Sequence, residues 1–422
     1  MKRTFLKAAT SLWLIVLVAL GARLGFAWDQ ERKIPREVLG IVPFQQETGN
    51  IAYSLVQGKG YSNPFRRETG PTAWLTPVYP FLIAGLFKLF GVETIPAFFA
   101  AVFLNSLFSA AACIPIYFVG KRVSGLGVAS AAAWFWALLP NAVMFPFEWI
   151  WDTSLSALLA ATLLWATLVL SESTRLRDWC AYGLLWGFTL MTNPSLGSLL
   201  PFLLGWAAFS AYRQRSVHFS KLALALGFAI LCCAPWTFRN YLVFHKFIPL
   251  RSNLGLELYI GNNENYDPQR PKWPSPITRE REILRFFTMG ETPFMEEEMR
   301  KAIGFIIAHP GVTLKLCGLR MIAFWMGTAA PLRDFRETDS LLIRIIFVCN
   351  LLATLGALTG ILALYRQKNP FAFPLAVFPI VFPVLYYITH TSLRYRHNID
   401  PVVLVLLAVA VFWPWKSAAE HS

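Results

Sequence analysis

About ten stretches of this chain run for roughly 20 residues with scarcely a charged side chain, long enough to cross a bilayer as an α-helix. In hydrocarbon each backbone N–H and C=O must be paired within its own segment, so a single run of this kind has helix as its one solution. The runs lie near 8–27, 94–119, 126–145, 153–170, 179–193, 195–211, 220–237, 341–364, 371–389 and 398–415. Composition agrees: 56% of the 422 residues are hydrophobic and 15% are charged. An ordinary soluble domain carries about 25% charged residues. A soluble globular enzyme, a disordered chain and a collagen-like rod are therefore excluded. The sequence reads as an all-α polytopic membrane protein.

Loop charges give the topology. The first run follows Lys2, Arg3 and Lys7 like a signal peptide, but its apolar part is long, contains Arg23 and lacks an A-x-A cleavage site, so we expect a retained first helix. Lys121 and Arg122, Arg175 and Arg177, Arg213, Arg215 and Lys221, Arg366 and Lys368, and Lys416 then fall on one side of the membrane, as the positive-inside bias requires. That bias accounts for much of the net charge of +14, which we read as membrane and phosphate chemistry rather than a nucleic-acid footprint. Cys113, Cys180, Cys232, Cys233 and Cys349 lie in or beside apolar runs, and no structural disulfide is expected.

The same alternation puts two long segments outside, 28–93 and 238–340, dividing the chain into an N-terminal membrane module (1–237), a second outer loop (238–340) and C-terminal helices (341–422). Residues 75–91 and 312–330 are apolar but short or charge-bearing, and are expected to be interfacial helices. No internal repeat is evident.

In the first outer loop, Ile51, Ala52, Leu55 and Val56 form an apolar stripe at helical spacing, with Glu47, Asn50, Ser54 and Gln57 toward the polar side and Gly58 and Gly60 as a stop. Glu47 then opens the helix, where the dipole favours a carboxylate that can act as a base. Asp29, Glu31 and Glu37 read as solvated loop. Glu148 and Asp152, four apart before the 153–170 run, are expected on one helical face. The histidines His218, His245, His309, His390 and His397 are scattered, with no zinc spacing, and no nucleotide-binding glycine motif is present.

The order of these motifs resembles a known family. An acidic residue opens the helix Ile51-Ala52…Ser54-Leu55…Gly58…Gly60-Tyr61-Ser62; Thr69-Gly70-Pro71-Thr72-Ala73-Trp74, Tyr79-Pro80 and Phe87-Lys88-Leu89-Phe90-Gly91 follow. This is similar to the first outer loop of the C-type (GT-C) glycosyltransferase superfamily, in the branch grouping bacterial relatives of protein O-mannosyltransferases and of the lipid A aminoarabinose transferase. Ala234-Pro235-Trp236…Arg239-Asn240, Pro249-Leu250-Arg251-Ser252-Asn253, Gly261-Asn262-Asn263, His309-Pro310 and Tyr395-Arg396-His397 continue the resemblance along most of the chain.

The resemblance implies a GT-C-like bundle in a bacterial inner membrane, with an outward-facing site that moves a sugar from a polyprenyl-phosphate carrier to a protein, lipid or glycan acceptor. It implies Glu47 as the catalytic carboxylate, where many relatives have Asp, with Asp152 and Glu148 shaping the acceptor side. Arg394, Arg396, Arg239, Arg251 and Lys59, with Arg66 and Arg67, are the candidates for the donor phosphate, since a partly desolvated cation holds phosphate better than one in bulk water. The resemblance fixes no cofactor, and leaves open a divalent cation held by Glu47, Asp152 and the donor phosphate, as for some relatives. The competing readings are a lipid-linked glycan flippase or transporter, which would place ionisable residues at mid-membrane, and an oligosaccharide polymerase or ligase.

Overall fold

A computed structural model describes residues 11–213, 219–266 and 275–413. Lys2, Arg3, Lys7, Arg215, His218 and Lys416 lie outside the described residues, as does the side chain of Glu37. All ten apolar runs form helices, and no strand occurs among the described residues.

The first span is α1 (Leu12–Glu31). It carries Asp29 and Glu31 in its last turns rather than in a loop, and Lys33 just beyond its end pairs with Asp29 at 2.5 Å. The first outer loop then supplies a short helix α2 (Glu47–Val56) and a longer one at Val78–Phe90. The second span runs Ile95–Ser124, and the third is a pair, Leu126–Leu138 and α3 (Pro140–Glu148), bent by 43° at Leu139–Pro140. Next come α4 (Thr153–Leu170), α5 (Leu176–Thr192), a 3-10 turn leading into Leu200–Arg213, and α6 (Phe219–Phe244), which continues past the apolar run to include Arg239.

The second outer loop is helical through most of its described length. α7 (Leu254–Gly261) and Glu280–Met289 precede α8 (Glu291–Ala308), which meets Pro310–Met326 at 107°. The C-terminal part is Leu341–Arg366, Ala372–Val381, Val384–Ile388, α9 (Leu393–His397) and α10 (Asp400–Phe412). By length and composition six helices can cross a membrane, or up to eight if each bent pair is one span.

Within hydrocarbon there is no water to expel, so close helix packing through small residues takes over as the cohesive force. A Cβ on Gly183 would meet the Ala225 carbonyl oxygen at 2.3 Å, which shows how closely α5 and α6 approach. Arg23, fully buried in α1, is a further pin: it donates to Ser109 Oγ (2.8 Å) and to the carbonyls of Ala19 (2.7 Å), Ala137 (3.1 Å) and Trp136 (3.3 Å). A buried guanidinium with four of its five N–H groups used in this way holds helices together.

The basic loops assemble at one end. Arg122 pairs with Glu172 at 2.5 Å, and Asn369 Nδ2 donates to the Val123 carbonyl at 3.0 Å. At the other end the two outer loops share one apolar core that includes Ile51, Tyr61, Phe65, Trp74, Trp236, Leu256 and Phe286. Phe65 stacks edge-on against Trp74 (4.7 Å) and Phe286 (5.0 Å). Each such aromatic pair contributes about 0.5–1.5 kcal/mol beyond its buried area. That core fixes both loops above the ends of α4, α5 and α6, where a site can be built from separate elements.

Candidate active site

The helix α2 forms where the apolar stripe predicts it, but it is not amphipathic in place. Glu47, Asn50 and Ser54, expected toward the polar side, are all buried, and residues 63–64 cover the last two: Asn50 Nδ2 donates to the Pro64 carbonyl at 2.8 Å and Asn63 Nδ2 to Ser54 Oγ at 3.3 Å. Gly49 sets the approach of α2 to the preceding turn, since a Cβ there would sit 2.0 Å from the Phe44 carbonyl oxygen. Glu47 is thereby held at the first position of the helix, 8% exposed, with its Oε2 lacking a hydrogen-bond partner.

Burial pushes the Glu47 carboxyl up to about 7. Its own backbone N–H, Arg394 and Arg251 pull the other way, while Glu257 adds to the rise. A carboxylate poised near neutrality has the proton affinity a general base needs at physiological pH.

Asp152 stands beside it in electrostatic terms, sharing Arg394 and Arg251 as its facing cations. Its Oδ2 accepts from Ser156 Oγ (2.9 Å) and from Asn193 Nδ2 (3.0 Å). Asn193 ends α5 and accepts from the Ser195 N–H, so the Asn193-Pro194 break is what presents an amide to Asp152. Burial raises the Asp152 carboxyl, and Ser156 and the two arginines oppose the rise.

Glu148 and Asp152 do not share a helical face as the spacing suggested. α3 ends at Glu148, Trp149 is extended (φ −126°, ψ 99°), and Asp152 sits at the N-cap position just before α4. Two helix ends meet there because the bent third span turns back before the fourth starts. Glu148 is exposed and lines a separate apolar groove with Gln46 and Trp151.

The cations divide the same way. Arg394 lies half-buried, with its guanidinium 4.5 Å from the Trp151 ring, 4.8 Å from Trp149 and 5.3 Å from Tyr395, an aromatic setting that strengthens its hold on an anion. Arg251 donates through Nε to the Trp74 carbonyl at 3.0 Å, leaving its terminal nitrogens for the site. Arg239 is committed to backbone, donating to the carbonyls of Thr72 (2.7 Å) and Tyr61 (2.8 Å), and so ties the first outer loop to α6. Arg396 points into the bundle, 1% exposed, paired with Asp400 at 2.8 Å. Lys59 pairs with Glu68 at 2.6 Å in a second, outer cavity that also takes in Arg66 and Arg67.

Glu257 was not legible as a site residue, and His390 reads in sequence as one of several scattered histidines. Here His390 Nδ1 lies 3.3 Å from Glu257 Oε2, and Nε2 lies 3.0 Å from the Tyr395 hydroxyl. Burial holds the His390 imidazole below its usual range, with Glu257 opposing. The available signal was position: Glu257 precedes Gly261-Asn262-Asn263 by one helical turn, and Asn262 Nδ2 donates to the Ile388 carbonyl beside His390 at 2.8 Å. Among the described residues no three His, Cys, Asp or Glu side chains form a group able to hold a metal ion.

Residues 73–238 match the family described as dolichyl-phosphate-mannose-protein mannosyltransferase. No curated protein matches the chain. Among solved structures, the Archaeoglobus fulgidus oligosaccharyltransferase in its apo form is similar with a TM-score of 0.55 at 13% identity, covering 95% of this chain and 49% of that one. The same organism's oligosaccharyltransferase AglB, in complex with an inhibitory peptide and a dolichol-phosphate, is similar with a TM-score of 0.52 at 12% identity, again over 95% and 49%. The chain thus spans about half the length of these neighbours. The GT-C resemblance read from the loop motifs is borne out, in the matched segment and in the fold.

Proposed function

We propose that this multi-pass membrane protein, which carries a mannosyltransferase-like domain on a GT-C fold, transfers a sugar from a polyprenyl-phosphate carrier to an acceptor at the outer face of a bacterial inner membrane. The single observation that carries the reading is Glu47: a buried carboxylate with an unpartnered oxygen, a proton affinity near neutrality, and Arg251 and Arg394 within its field. The neighbour solved with a dolichol-phosphate makes a lipid-phosphate donor chemically apt.

In this mechanism Arg394 and Arg251 receive the donor phosphate, and Glu47 takes the proton from the acceptor hydroxyl or amine as it attacks the anomeric carbon. The new bond forms at that carbon while the bond to the phosphate oxygen breaks, and the electron pair leaves with the phosphate. Asp152, fixed by Ser156 and Asn193, orients the acceptor from the other side. Glu257 and His390 keep the Tyr395 hydroxyl aimed beside Arg394.

A panel of radiolabelled polyprenyl-phosphate sugars, supplied to membranes holding wild type or Glu47→Gln at equal expression, tests the proposal. Carrier-dependent transfer should fall by about 10²–10⁴-fold in the variant, the range for loss of a general base. Transfer that survives the substitution would move the base to Asp152. Transfer from no donor by either protein would return the transport reading.

A further inference from the structure

Beside Gln46, the residue that precedes Glu47, lies a groove of about 400 Å³ that the transfer chemistry above leaves unused. Its walls are largely apolar, with Phe26, Val38, Val42, Phe98, Trp149 and Trp151 among them. The polar residues lining it are Gln30, Gln46 and Glu148, and no lysine or arginine lines it. Phe26 and Gln30 belong to the outer end of the first span, so the groove sits at the level where hydrocarbon gives way to headgroups. Val38 and Val42, which line it, are 39% and 49% exposed, so its flank is open. A volume in the range of small-molecule sites, apolar walls and an open flank suit a hydrocarbon chain better than a peptide, whose backbone polar groups would find few partners there.

Charge decides which chain. A polyprenyl phosphate needs cations at its head, and those facing Glu47 are Arg394 and Arg251; neither lines the groove, although Arg394 packs against the Trp149 and Trp151 rings that help to wall it. The groove offers a carboxylate, Glu148, which repels a phosphate and accepts hydrogen bonds from a hydroxyl or an amine. Two substrates must meet at Glu47, one bringing the phosphate and one the nucleophile. The groove and the arginines divide between them along that line.

We propose that the groove between α1, residues 34–46 and residues 147–151 binds the hydrocarbon chain of a lipid acceptor whose head carries a hydroxyl or amine and no net negative charge, and delivers that nucleophile past Gln46 to Glu47. This rests on the transferase reading above and names its acceptor class. The acceptor oxygen or nitrogen bonds to the anomeric carbon, Glu47 takes its proton, and the donor phosphate leaves with the electron pair.

The test is photocrosslinking to the full chain in nanodiscs, with a diazirine-bearing diacylglycerol and, separately, a diazirine-bearing polyprenyl phosphate, mapping adducts by peptide mass spectrometry. Diacylglycerol adducts should concentrate on 34–46 and 147–151. They should fall by about tenfold, roughly 1.4 kcal/mol, in Val42→Trp, which fills the groove from an exposed position where folding tolerates bulk. Val38→Trp, also at an exposed position, repeats the test independently. Polyprenyl-phosphate adducts should keep their wild-type yield in both variants. Preferential polyprenyl-phosphate labelling of the groove would assign it to the donor and overturn the proposal, as would diacylglycerol adducts spread evenly over lipid-facing helices or unchanged by both variants. Because the readout is binding, groove-specific labelling with no transfer from any donor would sink the transferase reading and the acceptor role with it, leaving a lipid-binding groove, while transfer without groove labelling would sink this proposal alone.

Discussion

Glu47 links burial to proton chemistry, and its pH behaviour follows with a definite sign. Its carboxyl rises from 4.5 to about 7 on folding, so the folded state favours the protonated form. The stability this contributes is full below pH 4.5 and is lost as pH rises through about 7. Glu47→Gln, a mimic of the protonated acid, should therefore raise the Tm of detergent-solubilised protein more at pH 8 than at pH 5, read by differential scanning fluorimetry. Activity has the opposite sense, because a base must be ionised. kcat/KM should rise with pH through an apparent value near 7, and Arg394→Ala should move that limb to higher pH, since the guanidinium helps to hold the carboxyl down. A limb set only by titration of the free donor's phosphate would not move. In the sequence, Glu47 was legible from its place at a helix start, and Asp152 from its place before a span. Glu257 and His390 were not, because their pairing crosses from residue 257 to residue 390 and no local pattern records it.

Single elements serve two directions at once. α9 is only five residues long, yet it presents Arg394 and Tyr395 to the site and plants Arg396 and His397 in the bundle. The Arg396–Asp400 pair anchors that turn, both side chains being 1% exposed. Asp400→Ala should destabilise by about 3–5 kcal/mol, since it strands a buried guanidinium, and the double change Arg396→Met with Asp400→Leu should recover much of the loss. If the double variant still binds polyprenyl phosphate like wild type in an equilibrium titration, Arg396 is an anchor; a large loss of affinity would make it a phosphate ligand. At α2 the equivalent constraint is Gly49. Gly49→Ala forces a Cβ against the Phe44 carbonyl and should cost about 2 kcal/mol or more while displacing Glu47, whereas Gly205→Ala, with nothing within 4 Å of the added Cβ, should be tolerated. Thermal unfolding of the pair of variants beside their transfer rates is the check. The helices themselves were legible from periodicity and apolar length; the burial of the polar side of α2 was not, since it depends on a loop folding over it.

The molecule as a whole is a bundle with chemically distinct ends. Arg122, Glu172 and Asn369 meet at one end, and Glu47, Asp152, Asn193, Arg251 and Arg394 converge at the other. Cysteine placed at Tyr53 (41% exposed) should react with a membrane-impermeant maleimide in intact cells, and cysteine at Leu176 (53% exposed) only after permeabilisation. The reverse pattern would put the site on the cytoplasmic face. The sequence by itself determined the membrane class, the helical runs, the grouping of basic loops and the motif order that resembles the GT-C superfamily, because hydrophobic length and charge act locally and leave their mark residue by residue. Only the tertiary structure decided which of the candidate cations stand with Glu47: Arg394 and Arg251 do, Arg239 is bound to loop carbonyls, Arg396 is paired inside the bundle, and Lys59 lies in another cavity. It also separated Glu148 from Asp152 and brought Glu257 to His390. The physical reason is that a guanidinium reads the same in any basic motif, while its partner is chosen by how distant helices pack.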